Sequence, residues 1–348
     1  MADYFDCFSV SFGNGEVFFG GKTFVLGQCS TDVLNLDDAP LTELDVRFGM
    51  LISAMKELLE LKTDSAAHSA QELLNAVWDV VFTLPVYRDL NMDRWSAYNL
   101  FPLLIADKDK LEVTMDEGSE GHAMFKQMMD GLEYFPESLR VFRGQVRGML
   151  ELYFEPLARR GAEAYATAYW QYFNDMTTAG AVLFNADSFE QSFPTKIKFL
   201  PMANPDKSGR IVLAEQTEFT CLTHFLYTDF YRALIVGNAP RRCHNCGTYF
   251  LLTAGYNTCY CNNLAPGETE RTCRKVGAHR KEAKERASAT PAQKEYAKAY
   301  NRLKMRKNRG KMSLDDWNAA VAKAQDLKEQ AEWGEISDEE LRRQLAAL

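Results

Sequence analysis

Apolar residues recur every three or four positions from Leu41 to Leu61, at Leu44, Phe48, Leu51, Ile52, Met55, Leu58 and Leu59. That spacing puts them on one face of an amphipathic helix. The same rhythm continues through Ser65 to Phe82, Gly121 to Tyr134, Pro136 to Leu157 and Gly161 to Met176. Asp107 to Gly121 is acidic with little periodicity and reads as an exposed loop. β-structure is expected at the start, where Tyr4 to Val10 and Glu16 to Phe19 flank the turn Gly13-Asn14-Gly15, and Gly20-Gly21 precedes Thr23 to Leu26. A second hairpin, Thr195 to Pro201 and Arg210 to Ala214, surrounds the turn-rich Asn204-Pro205-Asp206-Lys207-Ser208-Gly209. A helix from about Thr217 to Val236 follows, ended by Gly237-Asn238-Ala239-Pro240.

From Arg271 to Lys311 the pattern is nearly continuous helix, broken where Thr290 caps a new helix with Pro291 at its first position. Lys294, Lys298, Arg302, Arg306 and Arg309 fall on one stripe of that helix, and Tyr296, Tyr300 and Leu303 on another. Ser313 with Asp316 opens a helix from Leu314 to Trp333, and Ser337 with Glu340 opens a last short one. Trp317, Ala320, Val321 and Ala324 form an apolar stripe expected to pack on the protein itself. The fold class expected is α+β. A helix-rich domain with short β-hairpins spans 1–239, a cysteine-rich finger 240–280 and a helical segment 281–348, basic to 311 and acidic beyond.

Composition sharpens this division. The 348 residues are 46% hydrophobic and 25% charged, enough to fill a packed core. The net charge of −8 conceals an asymmetry: Pro240 to Lys311 carries 17 Lys/Arg against 5 Glu, and Met312 to Leu348 carries 4 against 9 acidic residues. Those segments are therefore +12 and −5, which leaves −15 for the first 239 residues. Any nucleic-acid contact must lie in the basic block, because the acidic remainder repels phosphate. The acidic start Met1-Ala2-Asp3 lacks a signal-peptide pattern, and the longest apolar run, Leu73 to Val86, is short and carries Asp79. A cytoplasmic protein without a membrane span is expected.

Cysteines cluster. Five of eight (Cys243, Cys246, Cys259, Cys261, Cys273) fall within 31 residues. A C-x2-C pair directs two thiolates at one tetrahedral ion, and Gly247 after it permits the tight turn. Tyr249-Phe250 and Tyr256 to Tyr260 are expected to form a small hairpin. Cys273 falls in the first turn of a helix, where the dipole favours a thiolate. Four places exist for five cysteines, and Cys243, Cys246, Cys261 and Cys273 are the expected ligands of a structural Zn²⁺. Cys259 lies too far along a strand from Cys261 to share the ion unless the strand bends there, and His244 and His279 are reserves. A redox pair needs a βαβ setting, and here a strand, not a helix, follows the motif.

Knuckle, hairpin and ligand-bearing helix in this order resemble a treble clef and the zinc fingers of bacterial proteins with a Cys-Gly-Asn-Arg motif. The segment is similar, more closely, to a bacterial domain family without assigned function, with the pattern Cys-x2-Cys-Gly-x-Tyr/Phe-Phe, Tyr-Cys, then Thr-Cys-x-x-x-Gly-Ala. Cys243, Cys246, Gly247, Tyr249, Phe250, Tyr260, Cys261, Thr272, Cys273, Gly277 and Ala278 carry that similarity. The chain departs from the Cys-Gly-Asn-Arg form, since Arg274-Lys275-Val276 follow Cys273 and eleven residues separate it from Cys261. The resemblance implies zinc and no activity.

The functional expectation is nucleic-acid binding, possible through phosphate contacts by Arg241, Arg242, Arg274, Lys275, Arg280, Lys281, Lys294, Lys298, Arg302, Arg306 and Arg309. The alternatives are a protein–protein adaptor that docks a partner through 312–348 or the N-terminal domain, and an enzyme whose site is not legible. The basic stripe has its own bland reading, as a face paired with the chain's acidic parts. Cys221 and His224, three apart on a helix, are the nearest approach to a nucleophile and base, and a buried thiol beside a satisfied histidine is the commoner case. No phosphate loop, nucleophile elbow or H-E-x-x-H motif is present.

Overall fold

The computed structural model describes residues 5, 7–184, 195–203 and 211–348, leaving aside the side chains of 180–184, 281 and 284–286. The chain divides into two compact units, Met1–Cys261 and Asn262–Leu348.

Five antiparallel strands make the sheet of the first unit: β1 (Phe8–Gly13), β2 (Glu16–Phe19), β3 (Lys22–Val25), β4 (Lys196–Ala203) and β5 (Ile211–Phe219). Their order is β3-β2-β1-β5-β4, so the two expected hairpins join into one sheet. Asn14 and Gly15 both have positive φ, as do Gly20 and Gly21, which is what two-residue turns between right-twisted strands require. The turn expected at Asn204 to Gly209 lies outside the described residues. β5 runs to Phe219 and not to Ala214, because Thr217 and Phe219 pair with Val10 and Phe8 and are buried. Their residue types read equally well as a helix start.

Among the described residues of the first unit there are ten helical segments, of which α1 and α9 pack on the sheet: α1 (Gln28–Leu34), α2 (Asp38–Leu61), α3 (Asp64–Val81), α4 (Arg94–Ala97), α5 (Leu100–Ala106), α6 (Lys108–Met115), α7 (Glu120–Met149), a π-turn (Leu150–Phe154), α8 (Ala162–Phe184) and α9 (Leu222–Ile235). The expected loop at Asp107 to Gly121 thus contains α6, a polar helix with no buried residue, capped by the Asp107 carboxylate on the Lys110 amide. Pro136 does not divide α7. It is buried with Leu132, Phe135 and Leu139, and their burial offsets the ~3 kcal/mol of an interior proline. At the end of α7 the Glu155 amide bonds the Leu150 carbonyl at 2.8 Å, the i→i+5 signature of the π-turn. Phe8, Phe12, Phe19, Phe219 and Phe225 form the aromatic centre of the core.

A separate ribbon pairs β6 (Ala239–Arg242) with β7 (Tyr249–Leu252). The expected partner of β7, Tyr256 to Tyr260, is not a strand. β6 contains Pro240, and a two-stranded ribbon has an outer edge where a missing N–H costs nothing. The ribbon is rooted in the body. Asn35 donates to the Tyr249 carbonyl and accepts from the Tyr249 amide, both at 2.8 Å. Gly27 leaves room for Leu251, whose Cδ1 would lie 2.8 Å from any Cβ there.

The second unit holds α10 (Cys273–Ser288), α11 (Pro291–Asn308), α12 (Leu314–Glu332) and α13 (Asp338–Ala346). Thr272, Thr290, Ser313 and Ser337 cap them with their hydroxyls, and Thr290 completes a capping box with Gln293. Ala292, Ala299, Ala324, Leu327, Leu341 and Leu345 form a small core shared by α11, α12 and α13. The acidic tail therefore packs on the basic helix of its own unit.

Candidate metal centre

The knuckle occupies the turn between β6 and β7. The Cys243 amide donates to the Thr248 carbonyl and the Gly247 amide to the Cys243 carbonyl, both at 2.9 Å. Gly247 sits at φ 78°, a conformation that closes the loop and suits glycine. The Cys261 amide donates to the Cys243 Sγ at 3.4 Å, and the Cys246 and Cys261 sulfurs lie 3.6 Å apart. Cys273 opens α10, with its amide on the Asn263 carbonyl at 2.8 Å.

The sulfurs of Cys243, Cys246, Cys261 and Cys273 all lie within 4.8 Å of one another. Zn–S bonds of ~2.3 Å in a tetrahedron place sulfurs about 3.8 Å apart, so four such thiolates fit around one ion. Cys243, Cys261 and Cys273 are buried and Cys246 is half-buried. Burial alone would raise the Cys246 pKa, but hydrogen bonds from the Thr248 side chain and backbone and from Cys243 and Cys261 bring it down to about 7. The group can therefore hold a metal ion, and among the described residues no fifth donor joins the cluster.

The remaining candidates lie elsewhere. Cys259 Sγ accepts from Arg241 Nη2 at 3.0 Å and is not in the cluster. His244 turns outward, its Nε2 on the Glu155 carboxylate at 2.6 Å, and His279 is exposed on α10. Cys221 contacts Thr223 at 3.4 Å; burial would raise its pKa, and hydrogen bonds from His224 and Thr223 outweigh that and lower it.

The basic residues expected to meet phosphate are not one surface. Arg241 is buried, its guanidinium on Asn257 Oδ1, the Thr258 carbonyl and Cys259 Sγ, so it cannot reach a polyanion from there. Arg242 is exposed beside Glu151 at 3.8 Å. Arg274, Lys275, Arg280, Lys294 and Arg309 are exposed, while the Lys281 side chain lies outside the described residues. On the stripe of α11, Lys298 pairs with Glu295 at 2.9 Å. Arg302 donates to the Leu345 carbonyl and Arg306 to that of Leu348. Those two arginines tie down the end of α13, so the row of cations is not continuous. The charge pattern showed that lysines and arginines align; it could not show which have backbone carbonyls for partners.

Sequence reasoning also passed over the ground on which the knuckle stands: Asn35, Glu155, Arg160 and the π-turn. None carries a motif, and their roles arise from contacts between residues distant in sequence, such as Asn35 with Tyr249.

Residues 190–347 match the model of DUF6076, a family of unknown function. That span contains all four clustered cysteines and the helices of the second unit. No curated protein and no solved structure matches the chain. No helix among the described residues is long and apolar enough to cross a membrane.

Proposed function

We propose that Cys243, Cys246, Cys261 and Cys273 hold one Zn²⁺ as a structural centre. The mutual approach of four sulfurs within 4.8 Å carries this reading. Four thiolates complete a tetrahedron, so the ion offers no open position to a substrate and serves as a staple. A thiolate centre of this kind fits a reducing compartment such as the cytoplasm. Chelation tests it. Removal of the ion is expected to lower thermal stability and to speed amide exchange in the knuckle and the first turn of α10. Unchanged exchange there after complete metal removal would contradict a structural role.

The second reading is nucleic-acid binding through the unit Asn262–Leu348, with Arg274, Lys275, Arg280, Lys294 and Arg309 as the phosphate contacts. It is supported by their exposure and by the unit's 19 Lys/Arg against 14 Asp/Glu, a net +5. Binding should weaken linearly in log–log form with salt, and charge reversal at Arg274 and Lys275 should abolish it. Arg302 and Arg306 are poor test positions, because reversing them would release α13. Absent or salt-insensitive binding refutes this reading and leaves the adaptor.

A further inference from the structure

A second charged constellation lies in the first unit, where the π-turn faces β6. Arg160 and Arg241 both line a cavity of about 230 Å³ there, with Leu150, Phe154 and Pro240 as apolar walls. Both guanidinium groups are out of solvent, with side-chain exposures of 2% and 6%. Among the described residues, the only carboxylate within ion-pair reach of either is Glu155, itself 36% exposed. Its oxygens lie 3.5 Å from Arg160 Nη2 and 3.7 Å from Arg241 Nη2. The closest partner of that carboxylate is a third base, His244, at 2.6 Å. Among the described residues the other contacts are the Glu155 carbonyl and the nearby Tyr165 side chain for Arg160, and Asn257, the Thr258 carbonyl and the Cys259 sulfur for Arg241. The Nε of each arginine has no hydrogen-bond partner among the described residues.

Two buried cations thus share one half-exposed anion. A buried charge without a counter-charge is among the most costly features a fold can carry, and it persists where something supplies the missing charge. Burial, with Arg241 next, already weakens the hold of Arg160 on its proton. A cavity below the ~300 Å³ of ordinary ligand pockets excludes a nucleotide and admits a small oxyanion. Guanidinium forks fit the oxygens of phosphate or carboxylate, and apolar walls strengthen the attraction.

We propose that this cavity is a binding site for a small oxyanion, a phosphate or carboxylate group, held between Arg160 and Arg241. The site is independent of the metal reading, since Arg160, Arg241 and Glu155 are not candidate ligands and His244, which also lines the cavity, lies outside the four-cysteine cluster. Glu155 competes with the ligand for both arginines, which gives two substitutions of opposite sign.

The test uses the full chain with its metal and follows melting temperature against sodium phosphate, sodium acetate and sodium chloride at matched ionic strength. Metal content is measured in every sample. The expected result is a rise in Tm that saturates with phosphate or acetate and not with chloride. Saturation by phosphate alone identifies a phosphate group as the ligand, and by acetate a carboxylate. R160Q should weaken the apparent affinity about tenfold or more, the loss of one charge-assisted contact. E155Q should tighten it several-fold. If R160Q does not fold, the E155Q gain still decides. Phosphate also stabilises proteins by exclusion, without saturation. A rise that is unsaturated and equal in all three proteins, or a weakening in E155Q, overturns the proposal.

Discussion

Asp229 offers the sharpest test of how the body supports the knuckle. It lies on α9, fully buried, and caps the start of α1 from about two hundred residues away. Its carboxylate accepts from the Gly27 amide at 2.8 Å and from the Ser30 amide and hydroxyl at 2.9 Å. Asp229→Ala leaves those two amides buried without an acceptor, each worth about 1–3 kcal/mol, so about 4 kcal/mol is expected in total. The carboxylate has a cost of its own. Burial raises its pKa from 3.8 to about 6 against the pull of the Gly27 and Ser30 hydrogen bonds, with a further push from Asp32.

A raised folded-state pKa adds stability that is complete below the unfolded value and lost as pH rises through the folded one. Ionisation therefore costs the wild type about 3 kcal/mol above about pH 6. The alanine variant escapes that cost. Its destabilisation should accordingly be larger at about pH 4 than at about pH 7, by about 2 kcal/mol. Urea unfolding of both proteins across this range measures the difference, with loss of metal at low pH common to both. A destabilisation that grows with pH, or stays below ~1 kcal/mol throughout, would refute the reasoning.

Other predictions concern separate links. Asn35→Ala removes both hydrogen bonds to Tyr249 and should cost about 2–4 kcal/mol, detected as faster exchange in β7; equal exchange in variant and wild type would show that the ribbon does not depend on α1. Leu327→Ala, in the core of the second unit, should cost about 2–5 kcal/mol of local stability and leave metal content unchanged. Metal loss in that variant would mean that the centre depends on the α11–α13 packing. Cys259→Ser should keep its metal, since that sulfur serves Arg241, whereas a metal-free product would return Cys259 to the ligand set.

Much of the fold was legible where period and capping agree. The apolar rhythm of Leu44 to Leu59 placed α2, and Thr290, Ser313 and Ser337 marked three helix starts that their hydroxyls do cap. Local rules failed where tertiary contacts outweigh them. Pro136 signals a break that buried packing overrides, and Thr217-Glu218-Phe219 resembles a helix start but is held in a strand by its pairing with β1. Residues 239–242 follow a helix-ending Gly237-Asn238 and carry no strand signal of their own, yet they, not Tyr256 to Tyr260, pair with β7. The clustering of the four cysteines was legible because thiolates that converge on one ion would impose such a spacing on the chain. The basic stripe misled because charge density is local whereas its partners, the carbonyls of Leu345 and Leu348, arrive from another helix. Arg160, and the burial of Arg241 beside it, were invisible for the same reason.

The central claim is the metal centre, and zinc stoichiometry tests it most directly. Metal analysis of the purified chain should find one Zn²⁺ per polypeptide, lost or sharply reduced in Cys261→Ser and Cys273→Ser and retained in Cys259→Ser. A chain that folds with its four sulfurs free and no bound metal, or one that keeps a full equivalent of zinc without Cys261 or Cys273, would contradict it.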